Sequence, residues 1–488
     1  MIREMFRKNC LLFFAAMVIC TIAKGQSDVP VKAWSLQECV DYAIRNNMQV
    51  KQGHLNTKVE EVTLTQSKAN LLPNLNANTS YSHNVGRSVN PFTNIIVDQP
   101  VSSHNVSLSS SITLFNGFQK VNTIKRNKVL LDASKYTAED IQNDVTLQVI
   151  TAYMNILLNH ELLENAEIRL VTTDMQVERT ARLVEAGSLP ESNLLEIQAQ
   201  RANDELQIIN AKNNIAIATL NLKQLMQLPA QEEMDIVVPE VESPDEGGMI
   251  APLSEIYNTA VALQPDVKAA EARVESAEYD VAIAQGSRSP SISASGFLGT
   301  AYSSVADDML PKEGSSFTEI EMPVGYLASD PTQTVVSTRS IPTEYTENTY
   351  WNQLDFNLRR GVSIDMNIPI FNGWQTKSAV SRAKINKEMA AMDVVNTKNV
   401  LRQNIEQAYL DVQAAQQRYA ATKKQVEALQ EAFRVNEQKF NLGVINALDY
   451  NLAKTNLNVA ESEMIQSKYD YVFKTKILDF YQGKPLSF

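Results

Sequence analysis

The chain has 488 residues, of which 44% are hydrophobic and 20% are charged, and its formal net charge is −12. This acidic balance disfavours nucleic acid as a partner, because binding to phosphates requires an excess of Lys and Arg. Two of the three cysteines, Cys10 and Cys20, lie in the first 25 residues, so a chain without that segment can form no internal disulfide.

Residues 1–25 are predicted to be a secretory signal peptide. A basic start and an apolar run precede the small-x-small sequence Ala23-Lys24-Gly25, which predicts cleavage before Gln26. Lipidation of Cys20 is the alternative, disfavoured because bulky Ile19 stands where a small residue is required. No later stretch approaches the roughly 20 apolar residues of a spanning helix, so any membrane crossing must use strands.

One unit occurs twice in the sequence, which divides the remaining chain into structural repeats over 26–240 and 241–488. Matching residues lie 217 positions apart upstream and 256 positions apart downstream. The matching pairs include Pro73 and Pro290, Phe115 and Phe371, Gly117 and Gly373, and Gly187 and Gly443. Such a duplication implies pseudo-symmetry, which suits a closed ring.

In the first repeat, period-two patterns predict strands over about 73–82 and 105–115. One face is apolar and the other is small and polar, as in an outer-membrane strand, although a soluble sandwich strand also alternates. A run without Pro or Gly predicts a helix over about 118–186, roughly 100 Å long at 1.5 Å per residue. A further helix is predicted over about 192–228, with a coiled-coil seam that includes Leu206, Ile209 and Leu220.

The second repeat predicts the same elements in the same order. Strands are expected over about 290–299 and 361–371, a long helix over about 374–442 and a shorter helix over about 447–482. The connection between the two strands is 39 residues longer than in the first repeat. Residues 303–350 are rich in Ser, Thr, Pro and acidic side chains, and we expect them to form a loop.

These elements define a mainly α fold with a membrane β-barrel part, namely a long α-helical coiled-coil barrel plus four β-strands per chain. Four strands cannot close a barrel, and open sheet edges are not tolerated in lipid. Three copies would supply a 12-stranded barrel, so we expect a trimer.

The chain resembles the TolC-type outer-membrane efflux protein family, the outer membrane factors, over its whole length after residue 25. The resemblance rests on the opening segment from Trp34 to Asn47 and on the doubled steps Phe115-Asn116-Gly117 and Phe371-Asn372-Gly373. It implies a homotrimer in the cell outer membrane, extending into the periplasm and contacting outer-membrane lipid. It also implies a periplasmic adaptor (a membrane fusion protein) and an inner-membrane pump of the RND or ABC type as partners.

The resemblance also assigns site residues to the two helix turns. The expected adaptor-docking tip comprises Gly187, Ser188, Leu189, Gly443, Val444, Ile445 and Asn446. The expected periplasmic gate comprises Asp449, Glu196, Asn193 and Phe440. Where the family has a further acid and a basic residue, this chain has Leu452 and Ile445, so its gate contacts differ.

A simpler interpretation of these turns also exists. They can be plain helical-hairpin turns, with Ser192 or Asn193 capping one following helix and Asn446 capping the other. Asp449 can then be an acid that favours the helix dipole.

The function that follows from the resemblance is a passive export duct for substrates delivered by the pump and adaptor, and not an enzyme. The alternatives are a periplasmic structural coiled coil without a pore, disfavoured by the alternating segment Val362–Ile370, and a secreted enzyme, disfavoured because no catalytic motif occurs. His83 and His104 flank one loop, but two histidines alone rarely bind a metal. No cofactor or metal site is therefore expected.

Overall fold

A computed structural model describes residues 33–89, 96–239, 251–306, 309–312 and 314–484. The predicted signal peptide lies outside these residues. The helices are α1 (Leu36–Asn46), α2 (Met48–Ala69), α3 (Gln119–Glu185), α4 (Glu191–Met226), α5 (Leu253–Leu263), α6 (Pro265–Gly286), α7 (Tyr350–Phe356), α8 (Gln375–Asn441) and α9 (Ala447–Tyr481). No helix among the described residues is both long enough and apolar enough to cross a membrane.

The strands fall into one four-stranded sheet and several pairs. They are β1 (Ala33–Trp34), β2 (Asn74–Asn84), β3 (Arg87–Val89), β4 (Ile96–Asp98), β5 (Val101–Asn116), β6 (Asp235–Ile236), β7 (Ser291–Ser303), β8 (Met309–Pro311), β9 (Phe317–Leu327), β10 (Asp330–Pro342), β11 (Tyr345–Glu347) and β12 (Arg359–Asn367). The large sheet has the order β12-β7-β5-β2, which confirms the prediction of four main strands per chain.

The chain forms two compact units, and each draws on both halves of the sequence. The helical unit contains the described residues of Met1–Thr57, Ala133–Ala270 and Asp393–Phe488. Its main core packs α1 against the middle of α3 and the end of α4, with Tyr153 fully buried. The Tyr153 hydroxyl donates a 2.5 Å hydrogen bond to the Val237 carbonyl beside the parallel β1–β6 pair, so the buried phenol is satisfied.

Helix α1 begins with a complete capping box. Ser35 accepts a hydrogen bond from the Glu38 backbone N–H, and the Glu38 carboxylate accepts one from the Ser35 backbone N–H. Two otherwise unpaired donors are thereby satisfied, which fixes the start of the helix.

The strand unit contains Lys58–Asp132 and Glu271–Met392, and its sheet is antiparallel throughout. Residues that pair directly across neighbouring strands share a face, so the register defines both faces. The apolar face carries Leu75, Ala77, Val106, Leu108, Leu298, Val362, Ile364 and Met366. The polar face carries Asn74, Asn76, Asn78, Ser107, Ser109, Ser111, Ser295, Ser363 and Asp365, with Phe297 as a large apolar exception.

Each long helix follows two consecutive residues with positive φ. Gly117 and Phe118 have φ of 63° and 61° before α3, and Gly373 and Trp374 have φ of 61° and 66° before α8. Glycine adopts this conformation without a steric penalty, whereas an aromatic residue does so rarely. The doubled step is therefore a specific turn, and the two copies adopt it alike.

Two expectations for the second repeat were wrong. The segment 303–350 is not a plain loop, because β9 and β10 pair as an antiparallel hairpin and β8 pairs with β11. The predicted strand over 361–371 ends earlier, since β12 stops at Asn367. In the hairpin, Ile320 and Met322 alternate with Glu319 and Glu321, a strand pattern within a composition typical of loops.

Candidate functional site

The two helix turns have the same backbone geometry. Gly187 and Gly443 have φ of 70° and 72°. In the first turn the Ser188 N–H donates to the Leu183 carbonyl at 2.8 Å, and in the second the Val444 N–H donates to the Lys439 carbonyl at 2.9 Å. These are Schellman-type helix ends, in which a left-handed glycine lets the chain satisfy the last carbonyls.

The helices that follow the turns begin differently. The Asn446 side chain accepts a 2.8 Å hydrogen bond from the Asp449 backbone N–H, which confirms Asn446 as the cap of α9. Helix α4 begins after Pro190, which makes no side-chain cap, so the expected capping by Ser192 or Asn193 was wrong. Proline at this position instead supplies a fixed φ, which also directs the chain.

An apolar cluster joins the two helical hairpins near their turns. Ile197 of α4, Phe440 of α8 and Tyr450 of α9 are buried together. The Phe440 and Tyr450 rings stack with centroids 4.8 Å apart and planes inclined by 26°. Burial raises the pKa of Tyr450 to about 12; Glu437 acts in the same direction and Arg179 opposes it. The cluster therefore brings both turns to one end of the helical unit.

The structure separates the expected gate residues by environment. Phe440 is buried between helices, whereas Asp449 and Glu196 are exposed and Asn193 is half-buried. Within one chain, Phe440 thus contributes to helix packing while the two acids face outward.

The expected docking residues are mostly accessible. Gly187, Ser188, Gly443, Val444 and Asn446 are exposed, and Leu189 and Ile445 are half-buried. Leu442, Leu448 and Leu452 are also exposed, so the second turn carries several apolar side chains in solvent. Neighbouring exposed apolar residues of this kind are typical of an interaction surface.

A buried polar network lies beside this cluster and was missed in the sequence. Thr173 of α3 donates a 2.5 Å hydrogen bond to Asp204 of α4, and Lys454 of α9 donates one of 2.7 Å to Thr173. Gln200 donates to the second Asp204 oxygen at 2.8 Å. Asp204 is only 4% exposed and Lys454 only 5%, so an acid and a base are buried in one chain of hydrogen bonds.

The electrostatics of this network follow from burial. Burial lowers the pKa of Lys454, and Arg169 acts in the same direction, while Asp204 and Glu437 raise it.

The sequence contains a signal for the burial of Asp204, because Ile197, Asp204, Ala211 and Ala218 are buried at intervals of seven residues. An acid in such a heptad position indicates a buried polar contact.

The coiled-coil seam predicted in α4 does not pack inside the chain. Leu206, Ile209 and Leu220 are all exposed. The heptad that packs internally is therefore different from the predicted one, and the predicted seam faces away from the chain's own helices.

The fold and the site define a class of proteins that combine long helical hairpins with a small two-faced sheet. The model of the outer membrane efflux protein family matches residues 39–226 and 346–481. The chain belongs to this family, so it is a channel protein of the cell outer membrane that extends into the periplasm. The match covers most of the chain, including both turns.

Individual relatives agree with this assignment. The outer membrane efflux protein BepC of Brucella suis is 21% identical over 472 residues, covering 95% of this chain and 88% of BepC. The alkaline protease secretion protein AprF of Pseudomonas aeruginosa is 22% identical over 429 residues, covering 85% of this chain and 77% of AprF.

Solved structures share the fold at low sequence identity. CusC superposes with a TM-score of 0.70 at 16% identity, and the superposition covers 93% of this chain and 93% of CusC. The outer membrane protein VceC of Vibrio cholerae superposes with a TM-score of 0.68 at 14% identity, over 93% of this chain and 97% of VceC.

Proposed function

We propose that three copies of the chain assemble into a passive export duct across the outer membrane and the periplasm. The observation that carries this proposal is the four-stranded sheet, which has one polar face, one apolar face and open edges at β12 and β2. Unpaired strand edges are not stable in lipid, so neighbouring copies must pair with them. A ring of three sheets then has a polar lining and a lipid-facing exterior.

The exposed seam of α4 supports the same assembly in the helical part. Leu206, Ile209 and Leu220 repeat with coiled-coil spacing but contact solvent in a single chain. Such a stripe is stable when a neighbouring helix covers it. A second copy of the chain is the neighbour that a ring provides.

The duct has no energy source of its own in this proposal. An inner-membrane pump of the RND or ABC type and a periplasmic adaptor deliver the substrate. BepC is described as an efflux protein and AprF as a protease secretion protein, so both efflux and polypeptide secretion fit the proposal. The accessible turns at Gly187 and Gly443 are the proposed docking tip for the adaptor.

Asp449 is the main residue of the proposed gate, and Glu196 and Asn193 of the other hairpin are further gate residues in this proposal. Its carboxylate is exposed beside the second turn. Three-fold repetition would bring three carboxylates near one axis, where they attract cations and repel one another. Phe440 supports this region from within the helix packing, stacked on Tyr450.

Conductance of the purified protein in planar bilayers tests the duct. We expect a cation-selective channel, and we expect Asp449→Ala to lower the cation selectivity and raise the leak. Glu427→Ala, at an exposed acid away from the turns, is the matched control and should leave the selectivity unchanged.

A variant whose tip is held open provides the test that can refute the duct. If this variant is shown to insert and the bilayer still does not conduct, the duct is refuted and a coiled coil without a pore is favoured. Unchanged selectivity in Asp449→Ala would remove this residue alone from the gate.

A further inference from the structure

The short helix α7 packs on the apolar face of the sheet. The Tyr350 hydroxyl and His104 Nδ1 share a hydrogen bond of 2.6 Å, and Thr300 Oγ1 donates to the Leu354 carbonyl at 2.5 Å. His104 and Thr300 lie on the same face as Leu108 and Leu298 by strand register. The side-chain contacts of α7 therefore involve the face that the proposed duct turns towards lipid.

Further hydrogen bonds fix the position of α7. The Gln353 side chain is buried and accepts a 3.0 Å bond from the Ser303 backbone N–H. The Asn357 side chain donates to the Ala301 carbonyl at 2.9 Å, and Thr349 caps the helix by accepting from the Asn352 N–H. The segment is thus attached to β7 through backbone groups at the loop end of the sheet.

Aromatic rings line up at this level of the sheet. Tyr81, His104 and Tyr302 are direct partners across β2, β5 and β7, so they form one row on the apolar face. Tyr350 joins this row, since its ring lies 5.0 Å from that of Tyr302 and stacks on His104 at 5.9 Å. Rings with a polar atom at one end favour the boundary between hydrocarbon and headgroups.

The outer side of α7 exposes large apolar rings. Trp351 is 74% exposed and Phe356 is 67% exposed, although α7 itself is firmly attached. Leu358, just after the helix, is exposed as well. Arg360 lies on the same face opposite Leu298, and its long cationic side chain can reach anionic headgroups. Asn352 and Asp355 are exposed on α7 as well, and such a mixture of large apolar and polar side chains is the composition of an interfacial segment.

We propose that α7, together with Tyr81, His104 and Tyr302, is an interfacial anchor that sits at the headgroup–acyl boundary of the outer membrane. The proposal rests on the proposed function in one respect, namely that the apolar face of the sheet contacts lipid. The continuity of α7 with that face identifies membrane lipid as the occupant. The anchor fixes the depth of the sheet in the membrane, and Trp351 is its most exposed ring.

Fluorescence quenching by brominated lipids tests the anchor in the full-length protein. The protein is reconstituted into phosphatidylcholine–phosphatidylglycerol vesicles whose lipids carry bromine either near the headgroup or near the bilayer centre. Comparison with Trp351→Phe isolates the signal of Trp351 among the three tryptophans. We expect bromine near the headgroup to quench Trp351 at least twofold more strongly than bromine near the bilayer centre.

Trp374→Phe is the matched control, because Phe118 occupies the equivalent position in the first repeat with the same backbone conformation. This variant should retain the bromine-dependent signal. Quenching of Trp351 by aqueous iodide but not by bromine near the headgroup would refute the anchor, as would protection from both, which would indicate that a second copy covers α7. Channel conductance measured on the same vesicles reports separately on the duct, so the two proposals can fail independently.

Discussion

The ammonium group of Lys454 donates a hydrogen bond of 2.7 Å to the hydroxyl of Thr173, a residue 281 positions earlier in the chain. The Thr173 hydroxyl in turn donates a hydrogen bond to the Asp204 carboxylate, so a base and an acid on different helices are linked through one hydroxyl. The three residues are buried, and the link lies in the same helical bundle as the Phe440–Tyr450 stack. The stability of the bundle near the turns should therefore depend on Thr173.

Thr173→Val removes the hydroxyl and retains the side-chain shape. Lys454 and Asp204 each lose a buried hydrogen bond, so we expect the free energy of unfolding to fall by about 2 kcal/mol. Thr172→Val is the control, because the Thr172 hydroxyl donates to the Ile168 carbonyl of its own helix. Thermal unfolding followed by circular dichroism measures both variants, and equal midpoints would show that the hydroxyl link adds no stability.

Asp204→Asn tests the charge of the same network. Asp204 and Glu437 both favour the charged form of buried Lys454, and the variant removes the first of these carboxylates. Removing one partner from a buried charged network of this kind costs about 3 kcal/mol. Asp204→Leu combined with Lys454→Met should lose much less, because no charge then remains buried. If denaturant titration found the double variant as unstable as Asp204→Asn, hydrogen bonding and not charge would be the main contribution.

The regular elements followed from local patterns in the sequence. The long segments without Pro or Gly, 118–186 and 374–442, correspond to helices Gln119–Glu185 and Gln375–Asn441. The alternation in the strands placed side chains on the correct faces. Both patterns depend on the neighbours of a residue along the chain, which a single sequence contains.

What the sequence did not reveal depends on distant contacts. The heptad spacing marks Asp204 as buried, but nothing in the sequence near either residue identifies Lys454 as its partner, because the two are linked only where α9 packs beside α4. The positive φ of Phe118 and Trp374 was also missed, since aromatic residues rarely adopt it. The α4 seam was predicted without a way to tell whether its partner lies in the same chain or in another copy.

The stability should also respond to pH through Tyr450. Burial raises its pKa from 10.0 to about 12, so the folded protein holds the phenol proton more tightly than the unfolded chain. The associated stability is complete below pH 10 and is lost as the pH rises from 10 towards 12. We expect the unfolding midpoint of Tyr450→Phe to fall less over this range than that of the wild type. Tyr326→Phe, at an exposed tyrosine in β9, should follow the wild type, and parallel curves for all three proteins would contradict the assignment.

Gly117 and Gly373 are equivalent in the two repeats but have different surroundings within one chain. A Cβ atom at Gly117 would collide with the backbone carbonyl of Gly286, whereas a Cβ atom at Gly373 would meet nothing within 4 Å. Gly286 lies in the second repeat, and the offset of 217 positions makes Ala69, at the end of α2, its equivalent in the first repeat. In a ring of copies, the pseudo-symmetry would place Ala69 of a neighbouring copy against Gly373.

Alanine substitutions at the two glycines therefore test the ring. Both variants place a side chain at positive φ, which costs about 1–2 kcal/mol, and Gly117→Ala adds a backbone collision.

The two variants differ in what they predict for a single chain and for a ring. If the protein is a monomer, Gly373→Ala should lose only this conformational free energy and should be less destabilised than Gly117→Ala. If three copies close a ring, Gly373→Ala should meet the neighbouring copy and lower the trimer fraction in native electrophoresis or light scattering. Gly325→Ala, in β9 with open space around it and without a positive φ, is the control and should leave the trimer fraction unchanged. A full trimer fraction in Gly373→Ala would contradict the proposed contact, because a packed glycine cannot accept a methyl group without movement of its neighbour.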